Sequence, residues 1–159
     1  MTERPIANPF RGIPGYNCFG CSPDNLQGLK MEFREEGETV VSTWDPASYF
    51  QGYLNVLHGG IQAALLDEIA CWTVFVKLRT GGVTSRMEIR YRHAVPLGEG
   101  PIAIYAGVEG VRRNLARIWG RIHDHSDRIC SEGVVTYFCL KPAQAAEKLH
   151  YPGYEKFLP

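Results

Sequence analysis

The chain has no surplus of charge. Its 17 Lys and Arg residues balance 17 Asp and Glu, a formal net charge of zero. A protein that grips nucleic acid through phosphates needs a basic surplus or stripe, so bulk electrostatics argue against that class of partner. No apolar segment follows Met1-Thr2-Glu3-Arg4-Pro5, and no secretory signal is read there. The five cysteines are an odd number. They do not form a disulfide framework, and a reducing cytoplasm is the expected compartment. Cys18-x-x-Cys21 has no second pair at zinc-ribbon spacing. Small buried thiols at a turn are therefore preferred to a zinc half-site, and no metal is expected. Repeats and low-complexity tracts are absent. The longest apolar run is too charged and too short to span a membrane. What remains is a 159-residue chain, 45% hydrophobic and 21% charged, which is ordinary for one globular domain with a core.

That apolar run organises the chain. From Gly60 to about Leu78 only Gln62, Asp67, Glu68, Thr73 and Lys77 are polar, and they form no single stripe. A helix that is apolar nearly all round is a buried helix, here roughly 30 Å long. Two acids inside it are costly unless paired or used. Helical spacing puts Asp67 on a face of small side chains, with Gly60, Ala64 and Cys71, where another group can approach. Glu68 turns toward the bulky Ile61, Leu65, Trp72 and Phe75, which suggests a paired, structural role. The helix start offers free amides and a partial positive charge that would favour a developing oxyanion. One reading makes Asp67 a working carboxylate; the other ties it down structurally; Glu68 is the competing acid.

Around the helix the pattern has period two. Leu29, Met31 and Phe33 alternate with charged residues as a half-buried strand, and Thr39–Trp44 returns as a second. Four strands follow the helix. They are marked by Met87, Ile89 and Tyr91; by Ile102, Ile104, Ala106 and Val108; by Ile118 and Ile122; and by the run from Ile129 to Leu140. Turns are expected at 96–100, 110–114 and 124–127. Short connections favour antiparallel pairing. The expected fold class is α+β, an antiparallel sheet around one long central helix. Residues 1–17 read as an extended leader, 18–140 as the domain and 141–159 as a surface tail.

His58-Gly59-Gly60, six residues and then Asp67 resembles the signature of the hotdog-fold acyl-CoA thioesterases, in the phenylacetate-pathway (PaaI-like) branch. The similarity extends to Cys18-Phe19-Gly20-Cys21-Ser22-Pro23-Asp24-Asn25-Leu26-Gln27-Gly28-Leu29 and to Val83-Thr84-Ser85-Arg86-Met87-Glu88-Ile89, covering roughly residues 17 to 140. The resemblance implies the hotdog fold and hydrolysis of an acyl-coenzyme A thioester. It implies no cofactor beyond the coenzyme A of the substrate. It also implies a homo-oligomer, a dimer or dimer of dimers, in which Asp and glycine come from opposite subunits. Gly59, with Gly60 beside it, would offer an amide to the carbonyl, and Asp67 would serve as general base or nucleophile. His58 would fix the loop before the helix by hydrogen bonds. Thr84 falls where a Ser or Thr accompanies the acid, with Ser85 as its competitor. Gly52 stands where the family usually carries an Asn six residues before the His, and Gln51 or Asn55 is left to replace it. Arg112 and Arg113 are the candidates for coenzyme A phosphates. Tyr49, Phe50, Tyr53 and Trp72 are candidates for an acyl pocket. The competing functions are a hydratase or dehydratase on the same fold and a non-catalytic acyl-CoA-binding protein.

Overall fold

A computed structural model describes residues 2–159. Its seven strands are β1 (Glu3–Pro5), β2 (Arg34–Glu36), β3 (Thr39–Trp44), β4 (Gly82–Tyr91), β5 (Ile102–Arg112), β6 (Leu115–His123) and β7 (Ile129–Cys139). They form one antiparallel sheet in the order β1-β2-β3-β5-β6-β7-β4. The long helix α1 (Gly59–Thr73) joins β3 to β4 and lies against the sheet; α2 (Pro142–Leu149) follows β7. This is the hotdog fold, a sheet curled around one central helix. No helix among the described residues is long and apolar enough to cross a membrane.

The apolar periodicity explains the packing. Leu65, Leu66, Ile69, Ala70 and Trp72 of α1 are at most 1% exposed, and Ile104, Ala106, Ala116, Ile118 and Ile122 of the sheet are fully covered. Each buried aliphatic side chain contributes about 1.5–3 kcal/mol of transfer free energy. The helix sits close because β6 presents Gly120 beneath it: a Cβ there would lie 2.9 Å from Leu66 Cδ2. Past Thr73, α1 continues as one π-helical turn, Val74–Leu78, and stops at Arg79 in the left-handed region (φ 54°). The apolar run predicts a helix to this point; the last turn is wider than an α-helix.

Several elements differ from expectation. The alternation of Leu29, Met31 and Phe33 is real in burial, but the ladder begins only at Arg34. The Leu29 and Met31 amides donate instead to the carbonyls of Phe19 and Gly20, and Lys30 is left-handed (φ 53°). The expected turn at 110–114 is shorter, because β5 runs to Arg112 and β6 starts at Leu115. The leader is not merely extended. It contributes edge strand β1, and its Phe10 enters the core at 8% exposure. Nor is the tail a surface appendage. It forms α2 and a 3₁₀ turn, Tyr154–Phe157, and it buries Ala145, Tyr151 and Phe157. Phe157 stacks on Phe75 with ring centroids 5.4 Å apart, and the Ala7 amide donates to its carbonyl. The two ends thus close the open side of the helix that the short β1–β3 strands leave uncovered.

Because Phe157 is 2% exposed, Phe157→Ala should lower unfolding stability by about 3–5 kcal/mol in a urea titration. A loss below about 1 kcal/mol would mean that the tail does not belong to the core.

Candidate active site

The helix start is shaped by its own loop. His58 is the N-cap, and its Nδ1 accepts the Gly60 amide at 2.8 Å. Its backbone amide donates to the Phe50 carbonyl at 2.9 Å. The Gly60 amide is therefore spent within the turn and is not available to a ligand, contrary to the expectation for that residue. The neighbouring Gly59 amide has no hydrogen-bond partner among the described residues. The peptide that carries this amide is oriented by its own carbonyl, that of His58, which accepts the Ile61 and Gln62 amides at 3.0 and 3.1 Å. The Gly59 carbonyl, in the next peptide, accepts the Tyr91 hydroxyl of β4 at 2.8 Å. A groove of about 690 Å³ opens here, lined by Gln51, Tyr53, His58, Gly59, Gln62, Tyr91 and His93 among others.

Two turns further along, Asp67 is half-buried against the sheet. Its Oδ1 accepts the Thr84 hydroxyl of β4 at 2.7 Å and the Tyr137 hydroxyl of β7 at 2.9 Å. The Tyr137 hydroxyl also lies 2.8 Å from the Asp67 carbonyl oxygen. Thr84 and Tyr137 are register partners on adjacent strands, so the sheet itself brings both hydroxyls to one oxygen. Burial, with the nearby Cys71 and Asp67, raises the phenol of Tyr137, so it stays a donor. The second carboxylate oxygen has no hydrogen-bond partner among the described residues.

Other candidates fall in different places. Between Thr84 and Ser85 the geometry selects Thr84, since the Ser85 hydroxyl donates to the Thr136 carbonyl at 3.1 Å. Gln51 lines the Gly59 groove, whereas Asn55 lines a separate cavity with Glu99 and His125. Gln51 Oε1 is held by the Asn55 amide at 3.0 Å, so its oxygen shapes the loop. Arg112 borders a groove of about 520 Å³ with Ser85 and Arg86; Arg113 is the left-handed residue of the β5–β6 hairpin (φ 57°) and lies outside that groove's wall. Trp72 is a core residue stacked on Phe33 at 4.5 Å, and Phe50 packs on Trp44, so neither ring lines the groove. Tyr53 does line it and Tyr49 does not.

Glu68 leaves α1 about 100° away from Asp67, toward the N-terminal segment. Its Oε1 accepts the Trp72 indole N–H at 3.1 Å, and the Cys18 sulfur is 3.6 Å away. Burial, reinforced by the charge of Cys18, pushes its carboxyl up to about 7. It has no geometry to serve the Asp67 site.

Tyr137 and Tyr91 escaped the sequence reading. Tyr137 lies 70 residues from Asp67, and within its strand it reads as one more inward-facing aromatic. Only the pairing of β7 with β4 sets it beside Thr84.

Along α1, Gly59 and Asp67 are separated by eight residues, about 12 Å at 1.5 Å per residue. The free amide and the held carboxylate therefore lie apart along one helix, both bordering the edge strand β4.

A sequence model described as Thioesterase superfamily matches residues 54–131. No curated protein matches the chain. Among solved structures it is similar to a thioesterase superfamily protein, with 21% identity and a TM-score of 0.69, over 73% of this chain and 57% of that one. The chain thus spans little more than half the length of that relative. It is also similar to a Streptococcus mutans UA159 protein bound to acetyl-CoA, with 18% identity and a TM-score of 0.64, over 70% of this chain and 90% of that one. A hypothetical thioesterase from Streptococcus pneumoniae TIGR4 with coenzyme A is 23% identical, with a TM-score of 0.65, over 70% of this chain and 87% of that one. The pneumococcal protein has also been solved with one Asp, and separately one Thr, replaced by Ala. At these identities the likeness is one of fold.

Tyr137→Phe removes a hydroxyl bonded to a carboxylate while keeping the ring. It should cost about 1.5–3 kcal/mol of unfolding stability. Equal urea midpoints for variant and parent would show that the hydroxyl does not hold Asp67.

Proposed function

From the match of a thioesterase-superfamily sequence model to residues 54–131 and the shared fold, we propose that the chain is a member of that superfamily and hydrolyses an acyl-coenzyme A thioester to a free acid and coenzyme A. One observation carries this reading: α1 presents a Gly59 amide with no partner among the described residues, in a peptide held by the His58 carbonyl, and a carboxylate at Asp67 whose inner oxygen is already held by two hydroxyls. The outer oxygen is left to take a proton from water or to attack the carbonyl itself. The Gly59 amide, at the positive end of α1, stabilises the negative charge that develops on the thioester oxygen. Thr84 and Tyr137 hold Asp67 without protonating it, and Gln51 forms a wall of the carbonyl groove. Coenzyme A arrives as part of the substrate, and the hydrolysis requires no further cofactor. Two fold relatives named with acetyl-CoA or coenzyme A support a substrate of this class. So does the pneumococcal protein altered at an Asp and a Thr about as far apart in sequence as Asp67 and Thr84.

The half-sites meet in a dimer. β4 is an outer edge of ten residues, a ready template for another strand. Two copies pairing antiparallel about the middle of β4, between Met87 and Glu88, set Tyr91 opposite the partner subunit's Thr84. Tyr91 is bonded to Gly59 and Thr84 to Asp67, so this pairing carries one copy's free amide toward the partner subunit's Asp67. Arg112 borders the groove beside Ser85 and is the better placed of the two hairpin arginines for a coenzyme A phosphate. His58 Nδ1 accepts the Gly60 amide, so this nitrogen is not the base that a hydratase would use.

Asp67→Asn keeps an acceptor oxygen for both hydroxyls, so the fold should be unchanged. Thiol release from short, medium, long and aryl-CoA substrates should fall by about 10²- to 10⁴-fold. Equal release by variant and parent would remove Asp67 from the mechanism. Tight binding without turnover by the parent would make it a binding protein, and loss of enoyl absorbance without thiol would make it a hydratase. Sedimentation of the parent should give a dimer or a dimer of dimers; an active monomer would refute the shared site.

A further inference from the structure

The face of α1 that carries Glu68, about 100° round the helix from Asp67, holds a second cluster. Cys18 and Cys21, on a turn of the N-terminal segment, meet Glu68 so that one sulfur from each and one carboxylate oxygen all lie within 4.8 Å of one another. We propose that Cys18, Cys21 and Glu68 bind a divalent thiophilic cation, Zn²⁺ by its chemistry, with a fourth coordination position facing the adjoining cavity. The sequence reading set zinc aside for want of a second cysteine pair. The structure supplies a third donor from a helix 47 residues away, of a type that no cysteine spacing reveals.

The dimensions fit. Zn–S near 2.3 Å and Zn–O near 2.0 Å in a tetrahedron give S···O edges of about 3.5 Å. Cys18 Sγ lies 3.6 and 3.8 Å from the two Glu68 oxygens. The approach is allowed by one residue: a Cβ on Gly20, within the turn, would lie 2.3 Å from Glu68 Cδ. The donors are also supported from outside, as metal ligands are. The Tyr16 hydroxyl is 3.0 Å from Cys21 Sγ, and Asn8 donates to Tyr16 and to the Cys21 carbonyl. The Trp72 indole donates to Glu68.

Charge is the second argument. Glu68 is largely enclosed, and among the described residues no Lys, Arg or His forms an ion pair with it. Enclosed acids are normally paired or bound to a metal. Two sulfurs and one carboxylate favour zinc over magnesium or calcium. Three protein ligands are the number found where a fourth position stays open. All three residues line a cavity of about 390 Å³, with His150 on its wall, so a water or a small anionic or thiol ligand has access to that position. Binding sends the thiol protons to solvent and clamps the N-terminal segment to α1 one residue from Asp67.

The test is zinc content of the full chain, kept reduced with a phosphine, stripped with chelator, dialysed against Zn²⁺ and measured by elemental analysis. One equivalent per chain is expected. Co²⁺ in its place should give sulfur-to-metal charge-transfer bands. Cys18→Ser with Cys21→Ser should abolish both signals. Glu68→Gln should weaken binding by more than about 100-fold, beyond the loss of an outer-sphere partner. Cys139→Ser should bind as the parent does. Should the double variant fail to fold, the melting temperature of the parent should still rise with Zn²⁺. Failure to retain zinc, retention undiminished in the double variant, or a Cys18–Cys21 disulfide forming in air in place of zinc uptake would each overturn the proposal.

Discussion

Two hydroxyls from neighbouring strands converge on one carboxylate oxygen, and the rest of the site depends on that convergence. Thr84 and Tyr137 face each other in the β4–β7 ladder, so the sheet sets their spacing. Asp67 reaches them only if α1 lies at one height and one rotation above the sheet. The bare surface of Gly120 under Leu66 permits that height, and the apolar side chains from Leu65 to Trp72 impose the rotation. Hydrogen bonds to an ionised group are shorter and about twice as strong as neutral ones. The carboxylate is thus oriented before any ligand arrives.

The helix is a divider as well as a core element. Consecutive acids leave it about 100° apart, so Asp67 meets the sheet edge and Glu68 meets the N-terminal segment. The sheet covers one side with long strands. The other side is covered by the leader, the Cys18–Cys21 turn and the tail, held together by Phe10, Trp72, Phe75 and Phe157. Part of the enclosure of α1 therefore comes from chain with little regular structure. A cross-link at Glu68 would strengthen that half, at the residue next to the carboxylate held by the sheet.

The sequence made much of this legible. Period two marked the later strands, and unbroken apolarity marked the helix, because burial leaves those signatures whatever the partners are. Leu29, Met31 and Phe33 alternate as expected yet form no ladder, because hydrogen bonding depends on a partner and the amides found Phe19 and Gly20. The tail reads as a surface segment, and its α2 is mostly exposed; three residues, Ala145, Tyr151 and Phe157, make it part of the core. Asp67 stood out because small neighbours opened its face, and the two glycines after His58 marked the helix start.

By itself the sequence determined the helix, the antiparallel strands, the outward turn of Asp67 from the bulky face and the Gly59–Asp67 spacing. These follow from local periodicity and from the cost of burying charge. Only the tertiary structure decided that Thr84 rather than Ser85 bonds the carboxylate and that Tyr137 joins it. It alone reserved the Gly60 amide for His58 and gathered Cys18, Cys21 and Glu68 into one cluster. Each of these is a meeting of side chains set by strand register or by packing across the core, and neither leaves a trace in the spacing of residues along the chain.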